Sequence, residues 1–308
     1  MPTKVTQDML IRNTYFNLQR SADRLQMLQE QLSSGKRINR FSDDPNGARK
    51  ALFLHSESKQ LEQFSANVQE AKDALTFSSS VLDDIAGTLS RIKDLSLQAS
   101  DGSLTQKERS AIAVEVNELL ESLLTSSNST RLGKYIFSGT ETDTQAFEAT
   151  RSADGKITDM QYKGNREAIK YQIGPGINTQ VNRTGDEIFL DNNIFSSLIT
   201  LRDTLENKNN LSQHEQIQEI SNQTSSIDNM HANILNESAT LGGKTKRLEL
   251  TENRLRDAQL AVESLRSDFE DADTTDVVLK LKNEENLFQA ALASGARVIQ
   301  PSLLDFLR

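Results

Sequence analysis

The chain has 308 residues, enough for one large domain or two to three smaller ones, and its 36% apolar and 5% aromatic content without tryptophan suits slender helical bundles rather than a wide sandwich. A formal charge of -9, with the acids spread along the chain, excludes a general nucleic-acid or anionic-membrane surface, since neither is attracted by such a field. The absence of cysteine removes disulfides, thiolate catalysis and cysteine metal sites together.

Met1 to Met9 lacks the long apolar stretch of a cleaved signal peptide, and no run of about eighteen apolar residues follows to span a bilayer. The first periodic segment carries Ile11, Leu18, Leu25 and Leu32 at sevenfold spacing, with Leu28 at an intermediate position. Residues so spaced share one narrow helix face, and burying it requires another helix. Gly35 interrupts this run. After Asp43-Asp44-Pro45-Asn46-Gly47, Ser42 or Asp43 is expected to cap a helix that starts near Pro45, where the missing amide proton costs nothing.

That helix carries Leu54, Leu61, Val68, Leu75, Leu82 and Leu89 in one row and Phe64, Ala71, Ser78, Ile85, Ile92 and Ala99 in a second, offset by three. Asp101-Gly102-Ser103 ends it, and Thr105 is expected to cap a shorter antiparallel helix bearing Ile112, Val116, Leu119 and Leu123. From Gly139 to Leu190 helical period gives way to short alternations at Ile157 to Tyr162 and Ile169 to Ile173, with turns at Asp154-Gly155 and Lys163-Gly164-Asn165. These predict a small antiparallel β domain inserted between helices.

Helical order returns near Ile194, and Ile220, Ile227, Ile234, Leu241, Leu248, Leu255, Val262 and Phe269 form one long row. Its companion row is weak until Ala258, Leu265 and Ala272. Gly242-Gly243 is expected to lower local helix stability by roughly 1 kcal/mol per glycine without ending the helix, a kink or break being the alternative. In the last segment Phe288, Leu292, Gly295, Ile299, Leu303 and Phe306 alternate at three and four, and Pro301 bends or starts its final turn.

The fold class is therefore mainly α: a long antiparallel helical bundle or coiled coil built from both chain ends, with a small inserted β-rich outer domain. The simplest packing pairs the start with the finish. Terminal helices are expected over 1–42 and 273–308, a helical bundle over 43–138 and 194–272, and the β-rich insertion over 139–193. The two end segments have one apolar stripe each, diluted by alanine, glycine and glutamine, so they are expected to order fully only when neighbouring copies cover them. The commoner use of such stripes, an intramolecular core, is the competing expectation.

Leu32-Ser33-Ser34-Gly35-Lys36-Arg37-Ile38-Asn39 followed by Ser42-Asp43-Asp44-Pro45-Asn46-Gly47-Ala48 resembles the amino-terminal signature of bacterial flagellins and their hook-filament junction relatives. Asn286 to Ala291 and Ala296-Arg297-Val298-Ile299-Gln300-Pro301-Ser302-Leu303-Leu304-Asp305-Phe306-Leu307 resemble the carboxyl-terminal one. Arg131 to Thr140 is similar to a stretch of the junction subgroup. The resemblance implies a secreted, extracellular flagellar subunit in a homo-oligomeric ring. It would join the hook, through the first hook-filament junction protein, to flagellin, after passing unfolded through the flagellar export machinery.

It also implies that Ile11, Leu18, Leu25, Leu28 and Leu32 pack with Phe288, Leu292, Ile299, Leu303 and Phe306 in an inner layer, with Ser33 to Asn46 as a spoke. Arg37 and Asp43 or Asp44 would form ion pairs between copies, exposed caps being the alternative. No cofactor, metal, nucleic acid or membrane partner is implied, and no catalytic residue. His55, His214 and His231 lie far apart without a companion carboxylate motif and read as helix-surface residues. A filament-forming flagellin and a soluble coiled-coil binding protein are the competing readings.

Overall fold

The computed structural model describes residues 7–299. Helices α1 (Gln7–Ser34), α2 (Pro45–Ala99) and α3 (Gln106–Ser127) lead into strands β1 (Thr130–Arg131), β2 (Lys134–Tyr135), β3 (Phe147–Arg151), β4 (Ile157–Tyr162), β5 (Lys170–Gly174) and β6 (Ile177–Gln180). A π-helical turn at Asp186–Leu190 precedes α4 (Ile194–Leu205), α5 (Gln213–Glu270) and α6 (Thr274–Ile299). The chain divides into two compact units, Met1–Leu61 with Asp257–Arg308 and Glu62–Arg256.

The larger unit is organised by the sevenfold rows. Val68, Leu75, Leu82 and Leu89 of α2 are fully buried, as are Ile220, Ile227 and Leu248 of α5, with Ile234 and Leu241 almost so. Side-chain bonds from Lys72 to Glu252, Ser79 to Ser238 and Lys93 to Asp228 run in opposite senses along the two helices and mark them as antiparallel. Gly242-Gly243 leaves α5 unbroken.

Thr105 caps α3 with a full capping box: its hydroxyl accepts from the Glu108 amide while the Glu108 carboxylate accepts from the Thr105 amide. The buried position in the middle of α3 is Leu120 rather than the expected Leu119. At the α2–α3 turn the buried Arg109 donates to the carbonyls of Ala99 and Asp101, which closes the end of a helix pair otherwise left with orphan acceptors.

The β-rich part forms three separate two-stranded antiparallel sheets, and its first strand begins at Thr130. What unites it is an aromatic cluster: Phe147 lies 5.2 Å from both Phe189 and Phe195, and Phe137 lies 5.6 Å from Phe189. Four of the chain's twelve phenylalanines thus meet at one place, where each ring buries far more area than an alanine or serine. Arg202, wholly buried, donates to the Ile157 carbonyl at 2.7 Å and to Asp203 at 2.8 Å, tying α4 to β4. At Gly164 a Cβ would come within 2.7 Å of the Ser138 backbone, so this close crossing of two loops requires glycine.

A Cβ added at Gly242 or Gly243 would meet nothing within 4 Å. Gly242→Ala and Gly243→Ala are each expected to raise the free energy of unfolding by roughly 1 kcal/mol, read from denaturant midpoints at constant slope. A loss of stability would show that the helix needs its flexibility there.

Candidate assembly interface

The smaller unit places α1 and α6 side by side. Arg24 of α1 donates through Nε at 3.0 Å and Nη2 at 2.8 Å to Glu284 of α6, whose same oxygen accepts from the buried Ser21 at 2.6 Å. Nearer the chain ends a Cβ on Gly295 would stand 3.2 Å from Thr14, so glycine lets the antiparallel helices approach closely.

Of the expected seam residues, Ile11, Leu18, Leu25, Leu28 and Phe288 are only half-buried, and Leu32 and Leu292 are exposed. Leu303, Phe306 and the side chain of Ile299 lie outside the described residues. Gly295 of the expected row is buried, and the other buried positions among the described residues of α6 are Val277 and Leu281. They continue the three-and-four spacing of Phe288 and Leu292 backward through Glu284, a signal present in the sequence but cut short by beginning the row at Phe288.

Ile11, Tyr15, Leu18, Leu292 and Gly295 line an apolar cleft of about 320 Å³. Most of the large exposed apolar side chains among the described residues belong to this unit, including Tyr15, Phe16, Leu52, Phe53, Leu260, Leu279 and Leu287. Leu265, expected in a companion row, is also exposed. These side chains lie on α1, α2, α5 and α6, and apolar groups left exposed in such number make this unit the candidate contact surface.

Polar bonds hold the turn after α1. Gly35, at φ +70, ends the helix, and its carbonyl accepts from the Ala272 amide at 2.9 Å. The Arg37 amide donates to the Glu270 carbonyl at 2.7 Å, and the backbones of Lys36 and Asp271 form an isolated antiparallel β-bridge. Downstream, Asp43 Oδ2 accepts from the amides of Asn39 and Arg40, while Asp44 Oδ1 accepts from Gly47 at 2.9 Å. The cap of α2 is therefore Asp44, not Ser42 or Asp43: Asp43 is occupied in closing the preceding loop, and only Asp44 stands three residues before the acceptor-seeking amide. The Gly47 bond foremost holds the Asp44 carboxyl below its ordinary range, against slight desolvation and with help from Arg37.

Arg37 is engaged within its own chain, 3.4 Å from Asp44 and 2.7 Å from the Phe269 carbonyl, and its side chain remains 46% exposed. The centre of this turn is a residue that sequence reasoning passed over. Glu270 meets Lys36, His55 at 3.1 Å and Arg266 at 3.8 Å. Burial pushes its carboxyl upward, but Lys36 and then His55 outweigh that and hold it below the ordinary value of 4.5. Little in the local pattern marks Glu270, because Arg266 is one turn away on α5 but Lys36 and His55 come from two distant segments.

The profile of the bacterial flagellin N-terminal helical region matches residues 5–142, and that of the C-terminal helical region matches residues 224–307. The flagellar hook-associated protein 3 of Escherichia coli is 30% identical over 161 residues, which are 52% of this chain and 48% of that one, so the match spans about half of that relative. A flagellin of Listeria monocytogenes is 23% identical over 304 residues, covering 98% of both chains. Among solved structures, a flagellar hook-associated protein from Vibrio parahaemolyticus superposes with a TM-score of 0.65 at 26% identity, covering 74% of this chain and 100% of that one.

A carboxyl whose folded-state pKa lies below its unfolded value contributes stability at neutral pH, and that contribution is lost as acidification carries it through the folded pKa. Glu270→Gln is therefore expected to lower stability at pH 7 and to flatten the decline of stability below about pH 4.5, measured by denaturant unfolding across pH 3 to 7. An unchanged acid limb would remove Glu270 from the account.

Proposed function

Because this chain belongs to the family of bacterial flagellins and hook-associated proteins, we propose that it is the adaptor subunit of the hook-filament junction. It binds the first junction protein on one side and flagellin on the other, as a ring of copies outside the cell. The observation that carries this reading is the exposed apolar surface of the unit built from the two chain ends. The similarity to hook-associated relatives favours the junction over the filament itself. The match to a flagellin along almost the whole length is what supports filament formation as the second reading.

In the assembled ring, Ile11, Leu18, Leu25, Leu28 and Leu32 of α1 and Phe288 and Leu292 of α6 contact neighbouring copies, with Ile299, Leu303 and Phe306 extending the same layer. Residues 1–42 and 273–308 form that inner layer, 43–138 and 194–272 the helical layer around it, and 139–193 the outward part. Arg37 and Asp43 keep exposed polar atoms for a neighbour, while Asp44 remains the cap of α2. The subunit reaches its place unfolded through the flagellar export machinery.

Adding the purified chain to hooks that bear the first junction protein tests this directly. A single finite layer at the tips is expected; open-ended growth would make the chain a filament former, and no binding would remove both readings. Leu279→Ser with Leu287→Ser, two side chains exposed at 61% and 59%, is expected to leave the unfolding midpoint nearly unchanged while lowering tip occupancy at least tenfold. Normal occupancy by this variant would place the contact elsewhere.

A further inference from the structure

Asn46 and Gly47 form the only asparagine–glycine pair in the sequence. A backbone nitrogen that follows an asparagine can attack the side-chain amide carbon and close a five-membered succinimide ring, and glycine, with no side chain to hinder the approach, permits this best. The glycine here has no ready substitute. A Cβ at Gly47 would stand 2.5 Å from both Asp44 Oδ2 and Ile38 Cδ1, and neither atom is free to give way, since Asp44 is held by its cap bond and Ile38 is buried. The fold thus retains the most reactive neighbour that an asparagine can have.

The folded chain also restrains that reactivity. The attacking group is the deprotonated Gly47 nitrogen, but its N–H is donated at 2.9 Å to the Asp44 carboxylate, whose negative charge opposes loss of the proton. Gly47 is buried while Asn46 is exposed, so solvent reaches the side-chain amide more readily than the nitrogen that would attack it. Ring closure further needs that nitrogen to eclipse Cβ of Asn46, whereas a residue in α2 holds ψ at about −42°, well away from the angle required. Arg49 donates to Asn46 Oδ1 and draws electron density from the amide carbon. The electrophile is therefore ready, and only the nucleophile is withheld.

We propose that Asn46 is a self-modification site gated by the Asp44 cap of α2. When the cap is open, the Gly47 amide releases its proton to water and its nitrogen bonds to Asn46 Cγ. The Cγ–Nδ2 bond then breaks, and ammonia leaves after taking up a proton from water. A second water opens the ring at either carbonyl, giving aspartate or isoaspartate at position 46. Isoaspartate routes the main chain through Cβ and lengthens it inside the first turn of α2, so Asp44 no longer stands at capping distance from the amide it serves. A chain that has waited unfolded is thereby marked, and it loses the fixed turn between α1 and α2.

The full chain, kept in mildly alkaline buffer with and without guanidinium chloride and followed by peptide mass mapping, tests the proposal. Conversion of Asn46 is expected to be about a hundredfold slower in the folded chain, because the reaction runs only through the opened population. In denaturant Asn46 is expected to convert ahead of every other asparagine. Asp44→Ala is expected to raise the folded-state rate about fivefold, the change in opening that loss of an N-cap residue makes. Asp44→Asn, which caps a helix equally well, is expected to stay near the parent's rate. All three chains are expected to convert alike in denaturant.

Equal conversion of Asn46 in the folded and denatured parent overturns the gate, and this comparison needs no variant to fold. So does an Asp44→Ala chain that remains folded by its denaturant midpoint yet converts no faster than the parent. Another asparagine converting first in denaturant removes Asn46 as the site.

Discussion

The seam between α2 and α5 in the larger unit is the interaction on which the architecture depends. Val68, Leu75, Leu82 and Leu89 on one helix and Ile220, Ile227, Ile234, Leu241 and Leu248 on the other give up almost all contact with solvent. At roughly 25 cal/mol per Å² of apolar surface removed from water, each such side chain contributes about 1.5–3 kcal/mol. Helices this long, rich in serine, glutamine and asparagine, have no comparable source of stability in backbone propensity. The β-rich part interrupts the helices without requiring one continuous sheet, because its own aromatic cluster and the buried Arg202 supply a local centre.

Within the smaller unit the same heptad logic gives a different result. Its helices carry one diluted stripe each, and the pair α1 and α6 covers Val277 and Leu281 well but leaves Leu18 and Phe288 half-covered and Leu292 open. Neighbours add to that difference in residue type. In the larger unit α3 lies antiparallel to α2, as the contacts of Arg109 with Ala99 and of Glu115 with Arg91 together record, so a third helix stands beside the pair. Among the described residues of the smaller unit no third element does this for the α1–α6 cleft.

The long rows were legible in the sequence because a sevenfold spacing has few physical explanations besides a buried helix seam, and burial of Leu75, Leu82, Ile227 and Leu248 follows from it directly. The Thr105 box was legible for a similar reason: a threonine and a glutamate three residues apart satisfy each other's amides locally. Less could be read where partners are remote. Asp43 and Asp44 look alike in the sequence, and only the geometry of the loop assigns one to closing the turn and the other to the cap. Glu270 gathers Lys36 and His55 from far along the chain, which no local pattern encodes. The β-rich stretch was recognised by its alternation, but pairing into three separate hairpins is set by turns and aromatic packing that alternation does not determine.

The chain also divides two tasks between two kinds of interaction. Directional bonds define the turn after α1, where the Arg37 and Ala272 amides, Asp43, Asp44 and Glu270 leave little freedom in how α1 leads into α2. Each such bond adds only about 1 kcal/mol net, since water competes for the same groups, but together they exclude other geometries. Apolar surface is non-directional and worth more per residue, and among the described residues of the smaller unit much of it is left open. On the proposed reading as a junction subunit, the geometry of this turn would be set before the chain meets a neighbour, while much of the energy of contact would be withheld until it does. Such an ordering would favour addition at a template over aggregation in solution, because an exposed stripe held at a fixed angle fits few surfaces well, and a neighbour of matching stripe and angle is one that fits.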